Sequence, residues 1–212
     1  MNTWHRVEAN LLCRAVHLLT GASAYGLQPL TQGQPRVFFA NHSSHLDAVV
    51  LWSSLPPDIR GVTRPVAAAD YWTANAVRRH LATKVFNAVL VHRPAANELH
   101  EAAEALDTLL NALDEGWSLI IFPEGTRRES SEDPSTFKSG IYYMAKKRPT
   151  VEFVPVYLDN LSRILPKGEL LPVPILSAVR FGTAIKFSEG ENKAEFLERA
   201  SAAMNGLKEP GA

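Results

Sequence analysis

Short runs rich in Val, Ile or Phe recur at Arg36–Ala40, Val62–Ala68, Ala88–His92, Ser118–Phe122, Val151–Leu158 and Val179–Phe187, and each has the length and composition of a strand. Stretches with helical spacing separate them. Leu46–Leu55 follows the first strand, Tyr71–Phe86 the second and Asn97–Glu115 the third, with Asn97 as a cap and Gly116 as a stop. Further helices are expected over Phe137–Arg148, ended by Pro149, and over Asn192–Leu207. Strand and helix therefore alternate, which predicts an α/β fold: a single domain with a mixed, mostly parallel sheet flanked by helices.

A chain of 212 residues, 46% of them hydrophobic, can bury one full core. We expect an N-terminal amphipathic helix and lead-in over residues 1–34, the main domain over 35–207 and a frayed tail over 208–212. Glu129–Ser135 reads as a surface loop, and the proline-containing Leu161–Pro174 as an irregular excursion. In the first helix Trp4, Val7, Leu11, Leu12, Ala15, Val16, Leu18 and Leu19 recur at helical spacing among His5, Arg6, Asn10, Arg14 and His17. Such a stripe suits either packing on the domain or lying at a lipid interface.

Twenty-two basic residues balance twenty-two acidic ones, so no global field draws the chain to nucleic acid, and any anion site must be local. The lone Cys13, set in an apolar helical pattern, reads as a buried structural thiol. Glu8, Arg14 and His17 interrupt the first hydrophobic stretch, which argues against a signal peptide, and no window supplies the ~20 apolar residues of a membrane span. The expected location is cytoplasmic, peripheral on the inner face of the membrane.

Two stretches that follow strands carry chemistry. In Asn41-His42-Ser43-Ser44-His45-Leu46-Asp47 the carboxylate comes five residues after the histidine. If a helix starts between them, Asp47 sits in its first turn and can fold back to His42, orienting the imidazole as a general base. A loop that only caps a helix, or a metal site using His42, His45 and Asp47, would fit the same residues. In Phe122-Pro123-Glu124-Gly125-Thr126-Arg127, Pro123 ends the strand, Gly125 permits a tight turn, and Arg127 can pair with two phosphate oxygens at once.

These stretches resemble the signatures of the glycerolipid acyltransferases, the group that includes lysophosphatidate and glycerol-3-phosphate acyltransferases. Asn41-His42 with Asp47 is similar to the H-x-x-x-x-D signature, and Phe122–Arg127 to the F-P-E-G-T-R block. Val89–Arg93 resembles the second block, Val154-Pro155-Val156 the fourth, and Phe137-Lys138-Ser139-Gly140 the F-K-x-G element. The blocks occur in the family's order between Asn41 and Val156. Two positions depart from the pattern: Arg128 stands where many members have serine, and His92 where an acidic or apolar residue is common.

The resemblance implies a glycerol-3-phosphate acyltransferase-like fold and transfer of a fatty acyl group from acyl-CoA or acyl carrier protein to a lysophospholipid hydroxyl. The preferred acceptor is 1-acyl-sn-glycerol-3-phosphate, giving phosphatidate. Carried over by position, His42 and Asp47 become the catalytic pair, and Arg93, Glu124, Gly125, Thr126, Arg127 and Lys138 the substrate-binding residues. Neither a metal nor an organic cofactor is implied, and the expected partners are the two substrates, a peripheral membrane surface and, as one possible donor, acyl carrier protein. Another lipid acceptor such as lyso-ornithine lipid, an acyl-thioester hydrolase and a catalytically dead lipid-binding module are the rival readings. Arg78-Arg79 and Lys146-Lys147-Arg148 are either solvated helix faces or contacts for anionic groups, and His45, His80 and His100 read as surface or packing histidines.

Overall fold

The computed structural model describes residues 3–27, 34–44, 46–92, 99–125, 137–159 and 177–208. Seven strands form one sheet: β1 (Ser23–Tyr25), β2 (Arg36–Ala40), β3 (Thr63–Ala68), β4 (Val89–Val91), β5 (Ser118–Ile121), β6 (Glu152–Asp159) and β7 (Ala178–Phe181). Their spatial order is β1-β7-β6-β2-β5-β3-β4, and every adjacent pair is parallel except β6 with β7. Among the described residues the helices are α1 (Thr3–Thr20), α2 (Asp47–Ser54), α3 (Pro57–Gly61), α4 (Ala69–Trp72), α5 (Ala76–His80), α6 (Leu99–Asp114), α7 (Gly140–Lys147) and α8 (Lys193–Asn205). This is the expected single α/β domain with a mixed, mostly parallel sheet.

Central β2 is buried along its whole length because helices cover both of its faces. Side chains alternate across the pleat, so Phe38 and Ala40 join Ile120, Val154 and Val156 against α1 and α2. Val37 and Phe39 join Leu119, Ile121 and Phe153 on the other face, against α6, α7 and α8. Local signals set the helix ends. Gly116, at φ +88°, closes α6, and Asn192 opens α8 by accepting from the N–H groups of Ala194 (2.8 Å) and Glu195 (3.1 Å) while Glu195 accepts from its own N–H (2.9 Å).

Three expectations need correction. The helix expected over Tyr71–Phe86 is α4, α5 and a π turn at Leu81–Val85, because Asn75 turns extended and its side chain caps α5 by accepting from Arg78 N–H at 2.9 Å. The strand expected over Val179–Phe187 ends at Phe181. Pro155 O accepts from Gly182 N–H at 2.9 Å, so Pro155 presents to β7 the edge on which it has no N–H to give. Pairing resumes once, at Phe153 with Ile185. The lead-in also supplies β1, an unforeseen three-residue edge strand beside β7. The expected Asn97 cap, the 129–135 loop, the 161–174 excursion and tail residues 209–212 lie outside the described residues.

Helix α1 has two apolar faces. Ala9, Cys13 and Val16 are buried in the core, where burial pushes the Cys13 thiol above its usual range, as expected of a structural cysteine. Trp4, Val7, Leu11 and Leu18 gather on the opposite side at 100° per residue, with Trp4 75% and Leu18 86% exposed. Among the described residues no helix is long and apolar enough to cross a membrane.

Candidate active site

Parallel strands β2, β5 and β6 end at one edge of the sheet. The connection from β2 leads to β3 on one side and that from β5 leads to β6 on the other, so the chain reverses direction between β2 and β5. Crevices in open α/β sheets form at such a reversal. Because Phe39 pairs with Ile121, the residues that follow each strand, Asn41-His42 and Phe122-Pro123-Glu124, come side by side there.

Asp47 is the first residue of α2 and is fully buried. Its Oδ2 accepts from the backbone N–H groups of Ser43 (2.6 Å) and Ser44 (2.8 Å) and lies 2.8 Å from His42 Nδ1. The sequence folds this way because a carboxylate at a helix start satisfies backbone donors and faces the positive end of the helix dipole. Two N–H groups already fix the oxygen, so it holds His42 in the tautomer with hydrogen on Nδ1. Nε2 is left as an acceptor on a side chain that is 22% exposed.

Neighbouring groups set the loop. The His42 ring stacks on Phe122 at 4.4 Å with 24° between planes, and the His42 N–H donates to buried Glu124 Oε2 at 3.4 Å. Asn41 donates from Nδ2 to Leu158 O (3.0 Å) and accepts at Oδ1 from Leu158 N–H (2.7 Å), clamping the loop to β6 as a backbone pair would. Gly125 adopts φ +74°, and a Cβ there would lie 2.6 Å from Lys138 Cε and 2.8 Å from Nζ. Lys138 N–H in turn donates to Pro123 O at 2.8 Å. A cation thus rests on the glycine turn, and Lys138 makes no ion pair among the described residues.

The structure therefore brings together His42, Asp47, Glu124, Gly125 and Lys138 of the residues singled out from sequence. Arg93, Thr126 and Arg127, together with Arg128 and His45, lie outside the described residues. Sequence reasoning gave no catalytic or binding role to Asn41 or Phe122, although both stand inside the quoted motifs. Of the basic runs, Lys147 lies 3.5 Å from Asp107, Arg148 pairs with Asp114, and the Arg78 guanidinium lies 4.3 Å from the Tyr71 ring centre, so each of these three has a partner within the chain. A cavity of about 460 Å³ lies at the other edge of the sheet, lined by Trp52, Arg60, Arg64, Lys84 and Trp117, and includes neither His42 nor Asp47.

Residues 22–159, well over half of the chain, match the protein family described as Acyltransferase. The chain belongs to the Acyltransferase family. The matched region runs from the loop before β1 to the last residue of β6 and so contains the whole edge just described. Among solved structures, the 1-acyl-sn-glycerophosphate (LPA) acyltransferase PlsC from Thermotoga maritima is similar in fold, with a TM-score of 0.71 and 18% sequence identity over 96% of this chain and 78% of that one. No curated protein matches the chain. This acyltransferase therefore has the glycerolipid-acyltransferase fold that its motifs resemble.

Proposed function

We propose that this acyltransferase moves a fatty acyl group from an acyl thioester, acyl-CoA or acyl carrier protein, to the free hydroxyl of 1-acyl-sn-glycerol-3-phosphate, giving phosphatidate. The observation that carries this reading is the 2.8 Å contact between His42 Nδ1 and buried Asp47. His42 Nε2 takes the proton of the acceptor hydroxyl as its oxygen attacks the thioester carbonyl carbon. Collapse of the tetrahedral intermediate breaks the C–S bond, and the imidazolium returns the proton to the leaving sulfur, releasing the thiol. Asp47 stabilises the transient imidazolium, as does the face of Phe122. No acyl-enzyme forms, and the step uses no metal or organic cofactor.

In this reading Lys138, resting on the Gly125 turn, attracts the acceptor phosphate, with Arg93, Thr126 and Arg127 as further acceptor contacts. The exposed apolar face of α1 supports a peripheral position on the inner face of the membrane, where both lipid substrate and product reside.

The test is thiol release from a long-chain acyl-CoA by the purified chain and its His42→Ala variant, with and without lysophosphatidate, with the lipid product identified by mass. Acceptor-dependent release yielding phosphatidate and falling by about 10²–10⁴-fold in the variant is the expected result. Release without acceptor would instead mean a hydrolase. Undiminished transfer to a lipid without a phosphate, such as lyso-ornithine lipid, would overturn the acceptor assignment while leaving the dyad in place.

A further inference from the structure

Three side chains that the reaction does not use meet where the first turns of α1 approach the end of α5. Glu8 Oε2 lies 3.2 Å from His5 Nδ1 and 3.3 Å from His80 Nε2, and the three atoms fall within 4.8 Å of one another. His5 and Glu8 are three residues apart on α1 and so share a helical face, whereas His80 comes from the last position of α5. That separation in sequence explains why His80 alone reads as an incidental surface histidine.

We propose that His5, Glu8 and His80 bind one zinc ion, which clips the N-terminal helix to α5. Two imidazole nitrogens and a carboxylate oxygen are a donor set that zinc favours. A tetrahedral zinc with bonds of about 2.0–2.1 Å holds neighbouring ligand atoms about 3.3 Å apart. Two of the three separations, Glu8 Oε2 to His5 Nδ1 at 3.2 Å and to His80 Nε2 at 3.3 Å, match that spacing, and because all three atoms lie within 4.8 Å a small adjustment of the side chains turns both nitrogens onto one ion. The two rings meet edge to face, 67° between planes at 5.9 Å, so they do not stack, and both direct a nitrogen at the same carboxylate oxygen. Without metal, the same atoms make two ordinary hydrogen bonds. Side-chain exposures of 26% for His5 and 46% for Glu8 and His80 give an ion access from solvent and leave room for water to complete its coordination.

The site stands apart from His42 and Asp47, and its role is mechanical: α1 carries the exposed apolar stripe, and the clip would hold that helix against the domain. The test uses the full chain without a histidine tag, stripped with chelator and titrated with Zn²⁺ alone. Binding is followed by calorimetry and by thermal melting. One ion per chain should bind, with a rise in Tm. In His80→Ala and in Glu8→Gln affinity should fall by about tenfold or more and the rise should vanish. His100→Ala, which removes a histidine paired with Glu104 at 3.1 Å on α6, and His42→Ala should both keep the binding. Metal-free melting of each variant shows whether it folds. No saturable one-to-one binding, binding undiminished in His80→Ala, or binding lost in His42→Ala would overturn the proposal.

Discussion

In the proposed reaction Asp47 serves structure and chemistry through one atom, since its Oδ2 receives two backbone N–H groups and lies against the imidazole. Asp47→Asn keeps an oxygen for the backbone donors but removes the charge that stabilises an imidazolium. Its kcat should fall by about 10²–10⁴-fold with little change in melting temperature, and a variant that kept its rate would sink the dyad. Asn41 presents the opposite balance. Asn41→Ala leaves the N–H and C=O of Leu158 without their partner and should cost about 1–3 kcal/mol in denaturant unfolding. The spacing of His42 and Asp47 is legible in the sequence because both partners are side chains five residues apart in one short stretch. The Asn41 clamp is not, because its partner is backbone 117 residues away and carries no side-chain signature.

At the scale of elements, the turn after β5 places a group by leaving something out. Gly125 omits a side chain so that Lys138 can lie across the backbone. A Cβ there meets both a left-handed φ, costing about 1–2 kcal/mol, and the lysine stem. If Lys138 draws the acceptor phosphate, Lys138→Ala should raise KM for lysophosphatidate more than it lowers kcat, and an unchanged KM would remove it from the site. Helix α1 keeps one apolar stripe on its outward side, with the exposed Glu8, Asn10 and Arg14 set beside it. Leu11→Ser with Leu18→Ser should weaken sedimentation with anionic phospholipid vesicles while leaving the melting temperature near that of the parent chain, because both side chains already face solvent. The amphipathic stripe was plain in the sequence, but which half of it packs was not. Of its residues Val16 is buried and Leu12 half-buried, joined in the core by Ala9 and Cys13, which the stripe left out, while the larger Leu11 and Leu18 are left outside. The break at Asn75 and the early end of β7 were likewise hidden, the first in one side-chain cap and the second in a proline on the neighbouring strand.

For the molecule as a whole, the alternation of strands and helices made the α/β class readable, while the strand order depends on pairings between distant segments that no local pattern reports. That order sets β2 between β5 and β6, so the two motif stretches and the V-P-V strand converge on one edge. The opposite end of the same strands carries an electrostatic lock, where Arg36 of β2 lies opposite Glu152 of β6 with Nε to Oε2 at 2.7 Å and Lys186 at 3.4 Å from the other oxygen. Burial pushes the Glu152 carboxyl up, but the hydrogen bond from Arg36 and the charges of Arg36 and Lys186 outweigh it and hold the carboxyl below its ordinary 4.5. A group depressed in the folded state adds stability above its unfolded value, and that contribution fades as the pH falls through the folded one. Glu152→Gln should therefore be less stable than the parent by roughly 1–3 kcal/mol at neutral pH. The gap should narrow steadily in urea titrations carried below about pH 4.5. Acyl transfer by the folded variant should be unaffected, since the lock sits at the far end of the strands from His42. A gap that stayed constant down to acid pH would show that the pair acts through packing and not through charge.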